Sequence, residues 1–147
     1  MITIKIDNEN VLNALDRLSK ASANPRPAKL AIGESLVEST KKRFDTSTAP
    51  DGTPWAPNSA ATLKRKRGTK PLIGEGTLRD EIAYAENGDD LIIFSPMKYA
   101  AMQHFGGKKS EFPNLWGNIP ARPFLGISED DEEMIIETIS DYLRSVI

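Results

Sequence analysis

Cysteine is absent from the chain and histidine occurs once, at His104, and these two shortages close off much chemistry at the outset. Without cysteine there are no disulfides, no thiolate metal sites and no thiol nucleophile. A single imidazole cannot supply the paired ligation common in zinc enzymes. No apolar run approaches the roughly 20 residues that a membrane-crossing helix needs, so no membrane role is expected. The amino terminus, MITIKIDNEN, has neither a basic n-region nor a small-residue cleavage site, which predicts a chain that stays in the cytoplasm. An excess of either sign of charge is also lacking. A net charge of -2 offers no long-range attraction to nucleic acid, although a local basic cluster acts at short range. No cofactor and no metal are expected.

What remains is ordinary globular material. With 147 residues, of which 39% are hydrophobic and 27% charged, the chain fits one domain spanning 1–147, and folding would bury roughly 68 to 70% of its unfolded surface. Ile2, Ile4 and Ile6 alternate with polar residues, the period-two signature of a short strand. Asp7 or Asn8 then caps a helix whose Val11, Leu12, Leu15 and Leu18 form a stripe expected to face the core. Asn24, Pro25 and Pro27 break it. A second helix is expected over 28–45, with Ile32, Leu36, Val37 and Phe44 at helical spacing and Lys41, Lys42 and Arg43 complementing the dipole at its carboxyl end.

Residues 45–59 are rich in Thr, Ser, Pro, Gly and Asp and read as a long central loop. Ser59 precedes a short helix carrying Lys64, Arg65, Lys66 and Arg67, and Thr77 caps a further helical turn holding Leu78. Ile82 to Glu86 and Leu91 to Phe94 flank Asn87-Gly88, so a β-hairpin is expected. Tyr99 to Phe105 reads as a short helix ended by Gly106 and Gly107, followed by a mobile loop to Asn118. Ser128 caps the last helix, whose acidic run from Glu129 to Glu133 complements the dipole. Its apolar stripe is Ile135, Ile139, Tyr142, Leu143 and Val146. The fold class is therefore α+β: a small antiparallel sheet with a β-hairpin packed against two or three longer helices.

Phe44, the segment from Pro50 to Pro57 around Trp55, Thr62-Leu63 with Lys66, and Pro71-Leu72-Ile73 resemble the phage virion-morphogenesis family. Gly76 with Leu78, Tyr99-Ala100 with His104-Phe105-Gly106-Gly107, and the segment from Ile119 to Gly126 are similar to its later blocks, in the same order. The resemblance runs from about Phe44 to the carboxyl terminus. It implies an α+β assembly protein of a tailed phage or prophage that completes the tail or joins it to the head by contact, not chemistry. Its implied partners are other tail or connector proteins and further copies in a homo-oligomeric ring. Its implied places are the host cytoplasm during assembly and the virion.

The candidate protein-contact residues are then Trp55, Tyr99, His104, Phe105, Arg122 and Phe124. For several of them a structural role competes. Trp55, set between turn-forming prolines, either anchors its loop or meets another subunit. His104 is either satisfied structurally by a backbone group or acts as a general base, and no positioned partner or cleft is visible for the latter. Pro120 to Phe124 is either a contact segment or a stiff lead into the last helix. The cluster Lys64, Arg65, Lys66 and Arg67 is a solvated face, a contact for an acidic subunit, or a nucleic-acid contact, the last making a nucleic-acid-binding accessory protein the alternative function. The acidic run is set against a divalent-cation site, which its divergent side chains disfavour.

Overall fold

A computed structural model describes residues 8–59, 71–72, 77–88, 90–113 and 117–146. Among these, the elements follow in the order α1 (Glu9–Ala21), α2 (Arg26–Thr46), α3 (Thr77–Asp80), β1 (Ala83–Asn87), β2 (Asp90–Phe94), α4 (Ala100–Phe105) and α5 (Glu129–Ser145). This is the expected α+β architecture: helices gathered around one antiparallel hairpin. The strand expected at Ile2, Ile4 and Ile6, and the helix expected to carry Lys64, Arg65, Lys66 and Arg67, lie outside the described residues.

The Asn8 side chain accepts a hydrogen bond from the Val11 amide at 3.1 Å and so starts α1. Val11, Ala14 and Leu18 are buried, but Leu12, expected in the same stripe, is 48% exposed. One residue is a 100° step on a helix, which turns Leu12 away from Val11 and gives its place to Ala14. Helix α2 begins two residues before the expected Ala28, because Pro27 falls in the first turn, where a missing N–H costs no helical bond. It runs one residue past Asp45 and ends at Ser47, whose left-handed φ of 54° stops it.

Helix α2 is the spine, packing against α5, both strands and α3. Its amino-terminal half contributes Ala28, Ile32 and Leu36 to a core shared with α1 and with Ile135 and Ile139 of α5. Its end contributes Phe44 to a second core with Ala49, Trp55, Leu78, Ile82, Ala100, Phe124 and Leu125. Gly33 lets the hairpin lie close against this spine: a Cβ there would stand 2.7 Å from Cδ2 of Tyr84. In the hairpin the register pairs Ala83 with Phe94 and Asn87 with Asp90. Each strand thus reaches one residue closer to the turn than the sequence suggested, while Ile82, expected to begin the first strand, lies before it and is buried in the core, and Gly88 turns at a φ of 62°.

Ser128 and Asp131 form a reciprocal capping box at the start of α5. Ile135 and Ile139 are buried and Tyr142 and Leu143 half-buried, but Val146, expected in the same stripe, is exposed and stands past the end of α5 as its C-cap. Near the same end of α5, the side chains of Asn8 and Asn10 donate to the Glu132 carboxylate, at 3.2 and 2.7 Å, holding its pKa below the usual range and tying α1 to α5. Among the described residues, no helix is long and apolar enough to cross a membrane.

Candidate functional site

Three segments far apart in sequence meet at the carboxyl end of α2: the loop after it, the end of α4, and the extended run that leads into α5. The loop is folded tightly on itself before it arrives. Asp51 accepts from the Thr53 amide at 2.9 Å, Ala49 donates to Thr53, and the Trp55 amide donates to the Ser47 carbonyl at 2.7 Å. This geometry delivers the indole inward, 6% exposed. Its Nε1–H donates to the Pro123 carbonyl at 2.7 Å, and its ring meets Phe44 edge to face at 5.3 Å.

Arg122 closes the same joint from the other side. Its Nε donates to the Ala56 carbonyl at 2.8 Å, its Nη2 to the Pro57 carbonyl at 2.9 Å, and its amide to the Gln103 carbonyl at 3.0 Å. Burial lowers the pKa of this guanidinium. Phe124, fully buried, packs on Phe44 and on the His104 ring. His104 Nδ1 accepts from the amides of Phe124 at 3.2 Å and Leu125 at 3.4 Å. The nitrogen is therefore unprotonated, and desolvation lowers the imidazole pKa to about 4.

Beneath this joint, Arg43 donates to the carbonyls of Phe124 at 2.8 Å and Gly126 at 3.2 Å and forms an ion pair with Asp131. Ser39 donates to the other carboxylate oxygen of Asp131. Burial lowers the Arg43 pKa, and the charge of Asp131 offsets part of that fall. Two expectations are corrected by this pair. Arg43 does not sit at the surface with Lys41 and Lys42 as a helix-end charge; it is buried. Asp131 is likewise more than a dipole-complementing member of an acidic run.

The six residues expected to make protein contacts therefore divide. Trp55, His104, Arg122 and Phe124 are buried and bonded within the chain, each fixing one segment to another. Tyr99, which stands just before α4, and Phe105, its last residue, are exposed at 43% and 61%. Lys64, Arg65, Lys66 and Arg67 lie outside the described residues.

Beside Phe105 the chain forms an open groove, lined in part by Gly106, Gly107, Lys108, Ile119 and Pro120. Gly106 makes it possible. Its φ of 73° with ψ of 179° is a conformation nearly exclusive to glycine, and a Cβ would stand 2.7 Å from the Ala121 nitrogen and the Ile119 oxygen. Gly107 and Ile119 exchange backbone hydrogen bonds at 2.9 and 2.7 Å and join the two walls. Phe112, 44% exposed, lies on the same loop. Sequence reading missed this groove, for which the paired glycines after Phe105 were the available signal. Among the described residues, no group of three His, Asp or Glu side chains is placed to hold a metal ion.

Known proteins resemble this chain along nearly its whole length. The chain is 32% identical over 148 residues to Mu-like prophage FluMu G protein 2 of Haemophilus influenzae, covering 100% of this chain and 99% of that one. It is 28% identical to the putative capsid assembly protein G of Escherichia phage Mu, over 94% of this chain and 91% of that one. Tail completion protein S of Escherichia phage P2 is 27% identical, over 92% of this chain and 94% of its own. No solved structure matches. The blocks that meet at Trp55, His104 and Arg122 fall within residues 6–144, which match the phage virion morphogenesis family, and the chain belongs to that family.

Proposed function

We propose that this protein is a structural, non-enzymatic subunit of a tailed phage or prophage that completes the tail or joins it to the head. It works in the host cytoplasm during assembly and remains in the virion, as a homo-oligomeric ring set against other tail or connector proteins. The observation that carries this reading is the joint at the end of α2. Buried polar groups there are engaged with backbone carbonyls and amides of other segments, which is the chemistry of holding loops in place. His104 fits that role and not base catalysis, since its Nδ1 is occupied by two amides. The relatives support it by name, one as a tail completion protein and one as a putative capsid assembly protein.

Electron microscopy of particles made without this protein tests the proposal. Unattached heads and tails are expected if it joins them, and tails of faulty length if it completes them. Normal infectious virions would reject both.

A further inference from the structure

The outer side of α5 is acidic, and the loop beside Phe105 carries a small positive excess. On α5, Glu129, Glu133, Glu137 and Asp141 recur every fourth residue with Asp130 beside them, all exposed. They lie opposite the buried Ile135 and Ile139, so they face away from the core. Like charges at this spacing repel along a helix. Arg144 pairs with Asp141 at 3.7 Å, while Glu129, Glu133 and Glu137 have no cationic partner among the described residues. Lys108, which lines the groove, and Lys109, next to it in the chain, are exposed and likewise pair with no described carboxylate, beside the apolar Phe105, Ile119 and Pro120. Glu111 also lines the groove and balances Lys108, so the positive excess of this loop comes from Lys109.

We propose that copies of this chain dock head to tail, the acidic outer face of α5 on one copy covering the aromatic groove and the Lys108, Lys109 rim of the next. This rests on the assembly reading above and names the surfaces that serve it. A second copy is the occupant because one chain carries both halves of the complementary pair, on different faces, at a net charge of only -2. An exposed aromatic centre within a charged rim has the anatomy of a protein interface. Two different faces in contact give a heterologous interface, which closes into a ring when the rotation between copies permits.

Sedimentation velocity of the full chain at low and moderate salt tests it. Wild-type protein should self-associate, less strongly as salt rises. Two charge-reversed proteins, Lys108→Glu with Lys109→Glu and Glu133→Lys with Glu137→Lys, should each associate at least about tenfold more weakly. Mixed in equal amounts they should associate again, since each then offers the other a complementary face. Phe105→Ser should also lose association while keeping its melting temperature, because the side chain is exposed. Reversed proteins that associate like wild type, or a mixture that stays dissociated, would overturn the proposal. So would a wild-type chain that is monomeric throughout. If such a chain were still required for joined heads and tails in the microscope, the assembly reading would stand and only the partner assigned to the groove would be wrong.

Discussion

Arg43 and Asp131 stand 88 residues apart in sequence and form a buried ion pair, each side chain about 5% exposed. Neither is a simple pair member. The arginine also holds the Phe124 and Gly126 carbonyls, and the aspartate also caps α5 and accepts from Ser39. One contact thereby fixes the end of α2, the start of α5 and the segment between Phe124 and Gly126.

Removing one charge should leave the other buried and alone. Asp131→Asn is expected to destabilise the protein by about 3 to 5 kcal/mol, measured by urea unfolding. Arg43→Leu should cost a similar amount. The two together should fall short of the sum by about 1 kcal/mol or more, since the partners interact directly. Strict additivity would mean that the pair is not coupled.

Trp55→Phe keeps an aromatic ring but leaves the Pro123 carbonyl without its donor, and the expected loss is about 2 kcal/mol. Trp55→Ala should cost about 3 to 5 kcal/mol, because the cavity opens against Phe44 and Phe124. Thermal melting of the two variants separates the hydrogen bond from the packing. Equal losses would contradict this division.

The buried imidazole of His104 makes stability depend on acid. Its pKa is about 4 when folded and about 6.5 when unfolded, so between those values the unfolded chain binds more protons. Stability should be fully present above about pH 6.5 and fall as the pH drops toward 4, by on the order of 3 kcal/mol from this group. His104→Asn, which retains an acceptor near Nδ1 but does not titrate, should be flatter in that window when unfolding is followed at several pH values. An unchanged slope would assign the acid sensitivity to other groups.

Gly106→Ala forces a Cβ against the backbone of residues 119 and 121 at a φ that disfavours it. A loss of about 2 kcal/mol or more is expected. Hydrogen exchange should show faster exchange at the Gly107 and Ile119 amides, which join the groove walls. Protection equal to wild type would show that the walls do not depend on this glycine.

Local signals carried much of the fold. Asn8 and Ser128 announced helix starts, Asn87-Gly88 announced the hairpin, and Gly106 announced the end of α4, because each acts within a few residues of itself. What local pattern could not reveal is pairing across the chain. Lys41, Lys42 and Arg43 look alike as a run, yet only the third points at a carboxylate 88 residues away. Glu129 to Glu133 look alike too, and the inward turn of Asp131 follows from helix phase combined with the position of α2. The same blindness affected the contact residues. Trp55 and Arg122 have interface-favoured side chains, and their burial depends on carbonyls 68 and 66 positions distant.

Those long-distance bonds also set an order of events during synthesis. The ring of Trp55 has no acceptor, and the guanidinium of Arg43 no carboxylate, until residues 123 and 131 have left the ribosome. A chain cut short before Pro123 therefore lacks both fastenings and keeps Phe44 and Trp55 without the cover that Phe124 supplies. Incomplete translation products of this kind would thus be marked by exposed aromatics and open to proteolysis.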